Sequence, residues 1–309
     1  MDDRMLELKR YNGEIDWNVG TLFQNSEVFI AFMQRLKSER VMSNIKYSFG
    51  CYACKWNSGR LIREVATSMK ALTTAIDIYN SYGINVRFTF SNHLITEEDL
   101  HDVQCNATLE YMDMINAKNS SLENGVIISS DLLREYIRKN YPHVRITSSL
   151  YKPGIETKFV TDSVNYYNDL LDKFDVVVVD SNKVKDKNIS FLKGLKDKSR
   201  VEFIANNSCI RHCPNIQKHD IAVSKLQRAM CENNEEQIKE LLEEIQKYIS
   251  YCDSVHASDD AGSRLDLSKD EIDMLIDLGF KHFKIEGRER SKEFLFAALH
   301  VYVFNETMD

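Results

Sequence analysis

The feature that most constrains this chain is a rhythm. Eight short apolar runs, rich in β-branched and aromatic residues, recur along it: 17–23, 44–50, 84–91, 125–129, 144–149, 175–180, 201–205 and 282–286. Runs such as "DVVVVD" and "VEFIA" do not alternate apolar with polar, so each reads as a strand buried on both faces, as in a parallel sheet. Between them lie segments of helical period at 26–38, 61–82, 97–117, 130–140, 160–173, 187–197, 221–250 and 291–304. Ser268 and Glu271 form a capping box, and Gly83 and Gly279 follow helix ends where a left-handed residue is wanted. Strict alternation of strand and helix predicts an α/β fold, and eight repeats predict a (β/α)8 TIM-like barrel with a short N-terminal extension. An open doubly wound sheet is the alternative, but no G-x-G-x-x-G follows the first strand.

Composition narrows the class. Of 309 residues, 43% are hydrophobic, enough for a large core, and with only three prolines there is no linker-like tract. One domain over 1–309 is the expectation. The net charge of -7 argues against a broad nucleic-acid footprint. No apolar run is long enough to span a membrane, and the charged start is unlike a signal peptide, so a cytoplasmic protein is expected. The seven cysteines are then expected to be free thiols.

In a barrel of this type chemistry gathers at the C-terminal ends of the strands, and the residues there are polar. Cys51, Cys54, Ser58 and Arg60 follow the second run, and Asn92 and His93 the third. Ser129 follows the fourth, Ser148 and Ser149 close the fifth, and Asp180 and Asn182 the sixth. After the seventh comes "NNSCIRHCPNIQKH", with Asn206, Asn207, Cys209, His212, Cys213 and His219. Glu286, Arg288 and Arg290 follow the eighth.

Cys209 and Cys213, spaced i and i+4, can point to one side of a turn and bind a soft metal. Cys252, expected in a loop returning to the same rim, is a third ligand; the fourth is left open among Cys51, Cys54, His219 and an external molecule. A [4Fe–4S] cluster or zinc are the expected cofactors. Cys51 and Cys54 read as inert thiols in a loop, with a C-x-x-C redox pair or a second half of the metal site as the alternatives. Glu286 and Arg288 alternate on one strand end and so face the same way. With Asp180 they are the candidate catalytic residues, Glu286 as acid–base group or as the partner that orients the arginine. Arg60, Asn92, His93, Asn206 and Asn207 are the candidate substrate-binding residues.

Lys284, Ile285, Glu286, Gly287, Arg288 and Ser291 form "KIEGR-x-x-S". Together with the loop bearing Cys209, Cys213, Pro214 and His219, this motif resembles the collagenase-like (U32) peptidase family. The resemblance implies a TIM-like barrel and a divided set of activities. Some relatives are called peptidases; others work in oxygen-independent hydroxylation, in ubiquinone synthesis or RNA modification, with a [4Fe–4S] cluster on four cysteines. The expected function is therefore metal- or iron–sulfur-dependent modification, of hydroxylation type, of a small molecule, RNA or peptide. The alternatives are peptide hydrolysis and a non-catalytic barrel that binds a carboxylate ligand. A homodimer, or a heterodimer with a related barrel protein, is the expected assembly.

Overall fold

In a computed structural model, the protein is described over residues 15–23, 25–38, 45–58, 68–152, 163–258, 263–287 and 291–304. Eight strands close a barrel in chain order, every neighbour parallel. They are β1 (Asp16–Val19), β2 (Ile45–Gly50), β3 (Asn85–Phe90), β4 (Gly125–Ile128), β5 (Arg145–Ser148), β6 (Val176–Val178), β7 (Val201–Ile204) and β8 (His282–Ile285). Each lies within one of the eight apolar runs, except that β1 begins one residue earlier, at Asp16. Outward residues form the main core under the helices, with Trp17 5.5 Å from Phe283 and Phe203 5.1 Å from Phe280, ring to ring. Gly125 is required by close approach: a Cβ there would lie 2.0 Å from the Arg145 carbonyl oxygen.

The lumen carries a buried polar layer. Glu202 of β7 accepts hydrogen bonds from Asn18 Nδ2 on β1 and from the Tyr47 hydroxyl on β2. The Arg87 guanidinium lies 4.8 Å over the Tyr47 ring. Burial, reinforced by the Glu202 charge, pushes the Tyr47 phenol up, so it serves as a donor. Above this layer, at the strand C-termini, the lumen opens.

The helices are α1 (Ser26–Ser38), α2 (Met69–Ser81), α3 (Val103–Lys118), α4 (Asp131–Asn140), α5 (Val164–Lys173), α6 (Asn182–Lys185), α7 (Ile189–Gly194), α8 (Ile216–Cys231), α9 (Glu235–Ala257), α10 (Lys269–Asp277) and α11 (Lys292–Ala298), the last followed by a π turn at Leu299–Phe304. The capping box of Ser268 and Glu271 is formed, and Gly83 and Gly279 have φ of 76° and 94°.

One expected helix is broken and another is shortened. The segment 221–250 is part of two helices, α8 and α9, because Asn233 takes φ 54° and Asn234 caps α9 by accepting from Gln237 N–H. The two helices share a separate apolar cluster of Ala222, Val223, Leu226, Ala229, Leu241 and Ile245. Cys252, expected in a loop, therefore sits on α9. The segment 187–197 is helical only over α7, Ile189–Gly194: Lys187 takes φ 51° and Asn188 caps the helix by accepting from Phe191 N–H. The expected extension at residues 1–14 lies outside the described residues.

Candidate functional site

A cavity of about 1400 Å³ opens at the C-terminal ends of the strands. Its floor and one wall come from β6 to β8 and the residues that follow them. Lys284 is 6% exposed, lines the cavity, and holds its Nζ 4.0 Å from the Phe49 ring centroid, in a cation–π contact. Glu286, two residues on, lies on the same cavity wall, as the strand period requires. Asp180 joins them from the end of β6; its carboxylate accepts from Asn182 N–H at 2.9 Å and from Asn182 Nδ2.

The loop after β7 is built from side-chain amides. Asn206 Nδ2 donates to the Glu286 carbonyl and Asn206 Oδ1 accepts from the Glu286 N–H, both at 2.7 Å. Asn206, expected to bind substrate, instead spends its amide on fixing Glu286. Asn207 Oδ1 accepts from Cys209 N–H at 3.0 Å, while its Nδ2 is buried beside the cavity with no partner among the described residues. His212 turns through φ 50° and its ring lies 2.9 Å from Asp186, which also holds Arg211 at 2.6 Å. Burial would raise the Asp186 carboxyl, but Arg211 and His212 outweigh it and hold it below the usual range.

The expected metal ligands are divided. Cys209, Cys213 and Cys252 all line the cavity, and the Cys213 and Cys252 thiols touch. Burial, then the Cys213 thiol, pushes Cys252 up to about 11, so it is a thiol and not a ready thiolate. His219 lines the same cavity but its ring lies 5.6 Å from that of Tyr248. Cys54 belongs elsewhere: its Sγ lies 3.9 Å from that of Cys51, and it hydrogen-bonds Cys105. Burial raises Cys54, but those thiols and the Trp56 backbone outweigh it and lower it to about 5. A [4Fe–4S] cluster takes four thiolates and a zinc site three or four donors. Among the described residues no three of His, Cys, Asp and Glu are placed to hold a metal.

The opposite side of the mouth is consumed by packing. Asn92 Nδ2 donates to the Ser224 carbonyl on α8, and its Oδ1 accepts from Leu94 N–H. His93 Nδ1 lies 3.2 Å from Ser224 Oγ, which is 2.7 Å from Ser58 Oγ. Burial lowers the His93 imidazole to about 4. Asn92 and His93, expected to meet substrate, turn toward α8. Arg228 of α8 pairs with the buried Asp99, and Asn57 Nδ2 reaches Gln227. Arg60, expected to bind substrate, Arg288, a candidate catalytic residue, and Arg290 lie outside the described residues.

Two cavity residues escape the reading by motif. Lys284 belongs to "KIEGR", and its i, i+2 relation to Glu286 was the available signal. Asp220 lies at 6% exposure on α8, one residue before the expected helix start, and nothing local marks it.

No protein-family model matches the chain, and no curated protein matches it. Its structure is similar to the U32 peptidase Mk0906, with a TM-score of 0.51 and 12% identity, over 88% of this chain and 92% of that one. Weaker similarity links it to a GH18 chitinase from Pseudoalteromonas aurantia, with a TM-score of 0.35 and 13% identity over 60% and 79% of the two chains. An HpcH/HpaI aldolase from Desulfitobacterium hafniense DCB-2 gives 0.34 and 11% over 96% and 94%. The first likeness shows a shared fold: the closed eight-stranded barrel that the sequence resemblance implied is the one observed, and a U32 peptidase has it too. No described helix is long and apolar enough to cross a membrane.

Proposed function

We propose that this chain is a barrel enzyme that binds a small organic acid at the C-terminal mouth and moves a proton on it. The observation that carries the reading is the convergence of Lys284, Glu286 and Asp180 on one cavity. A buried ammonium acts on a carboxylate far more strongly than an exposed one, because little water screens it. Glu286 stands on the same wall, its backbone locked by Asn206. A cation that steadies charge on a substrate oxygen and a carboxylate that takes a proton are the parts needed for proton abstraction beside a carbonyl or carboxyl group.

The test uses a panel of dicarboxylic and 2-oxo acids, succinate and pyruvate among them. Members that fit raise the melting temperature of the wild type and not of Lys284→Met. Their C–H positions next to the carbonyl or carboxyl group exchange with deuterium oxide by NMR, and Glu286→Gln stops the exchange. A panel that Lys284→Met binds as well as the wild type overturns the reading.

Peptide hydrolysis is supported less: it would need a Cys209 nucleophile with His212 as base, oriented by Asp186 at 2.9 Å, and lining the same cavity does not by itself make Cys209 and His212 a pair. The cluster or zinc expectation keeps one foothold, the contact between Cys213 and Cys252. Iron, zinc and acid-labile sulfide measured after anaerobic purification, in wild type and Cys213→Ala, decide it.

A further inference from the structure

Asp220 stands apart from the carboxylates already discussed. It is 6% exposed, its Oδ2 has no hydrogen-bond partner among the described residues, and it lines the cavity from α8. Burial alone acts on it, pushing its carboxyl well above the usual range; no neighbouring charge compensates. A buried carboxyl without a partner is costly, and it becomes favourable when a cation is brought to it. Asn207 presents the complementary feature: Oδ1 is used within its own turn, and the buried Nδ2 on the same cavity has nothing to donate to. Among the described residues that line the cavity, carboxylates outnumber lysines and arginines.

We propose that this part of the cavity binds an organic ammonium that carries an oxygen acceptor close by, with Asp220 receiving the ammonium and Asn207 Nδ2 donating to the oxygen. The inference rests on the cavity being a substrate site and names a second polar group of the substrate. With Lys284 on the floor taking a carboxylate, the ligand class is an amino acid or a close derivative. Neither Asp220 nor Asn207 takes part in the proton transfer proposed above.

The probe is glycinamide, which has the ammonium and the carbonyl oxygen but no carboxylate, so Lys284 adds nothing to its binding. Acetamide lacks the ammonium and ethylamine lacks the oxygen. Dissociation constants come from NMR titration of the full chain. Glycinamide is expected to bind about tenfold or more tightly than either control. Asp220→Asn, a neutral isostere, is expected to remove that advantage. Asn207→Asp keeps the acceptor for Cys209 N–H but replaces the donor, and is expected to weaken glycinamide without altering ethylamine. An unliganded melting temperature of Asp220→Asn at or above wild type establishes that the variant is folded. Equal binding of acetamide and glycinamide, or an Asp220→Asn affinity within about twofold of wild type, overturns the proposal. Succinate binding in wild type and Lys284→Met, measured alongside, separates the failures. Succinate bound without glycinamide sinks the ammonium site alone, and loss of both sinks the substrate cavity with it.

Discussion

The two sides of the barrel mouth use the same kinds of residue to opposite ends. After β2 and β3 stand asparagine, histidine, serine and cysteine; after β6 and β7 stand asparagine, histidine, aspartate and cysteine. On the first side, the polar groups turn to α8: Asn92 and the His93 Nδ1 to Ser224, Asn57 to Gln227, and Asp99 to Arg228, while His93 Nε2 is buried with no partner among the described residues. On the second side, Lys284, Glu286, Asn207 and Asp220 line an open volume. Residue type at a strand end therefore does not distinguish support from chemistry. What distinguishes them is whether a helix has already used the hydrogen bonds.

The sharpest way to break the packed side is Arg228→Leu. It strands the buried Asp99, which is held below the usual carboxylate range because Arg228 and Thr96 outweigh the effect of burial. A loss of about 3 kcal/mol in denaturant unfolding is expected. Asn92→Ala removes two hydrogen bonds and leaves the Leu94 N–H and Ser224 carbonyl short of a partner; about 1–2 kcal/mol is expected in the same measurement.

Acid sharpens the contrast more gently. His93 titrates near 4 in the folded protein against about 6.5 unfolded. Between these values the unfolded chain binds more protons, so stability falls as pH drops through that window and is restored above it. His93→Gln should flatten that slope in melting temperatures measured from pH 7 to pH 4, and an unchanged slope would remove His93 as its source. Smallest of all, Cys252→Ser on the open side should change stability by less than about 1 kcal/mol, because that thiol borders a cavity. A much larger loss would place Cys252 with the packed side.

The strands were legible because parallel strands buried on both faces leave unbroken apolar runs, "DVVVVD" being the clearest. The helical hairpin was not, because "CENNEEQ" continues the polar face without a proline or glycine to mark the turn that Asn233 makes. The outer ends were also drawn too short, which placed Cys252 in a loop rather than on α9 and left Asp220 outside α8. Sequence order also located the rim and its thiols, yet it could not show that Cys54 belongs with Cys105 while Cys213 belongs with Cys252. Those pairings depend on contacts across residues far apart in the chain. Glu286 was recognisable from its motif, whereas the direction taken by Asn92 and His93 depends on α8, which arrives more than a hundred residues later.

Asn206 gives the rim an ageing property. Its side-chain amide meets the Glu286 peptide as another strand's backbone would, adding a rung to the β7–β8 ladder after the chain has turned away. Hydrolytic deamidation at this one position would exchange the side-chain NH2 for a carboxylate oxygen. It would set an acceptor against the Glu286 carbonyl and open the seam beside the cavity, without any mutation in the gene.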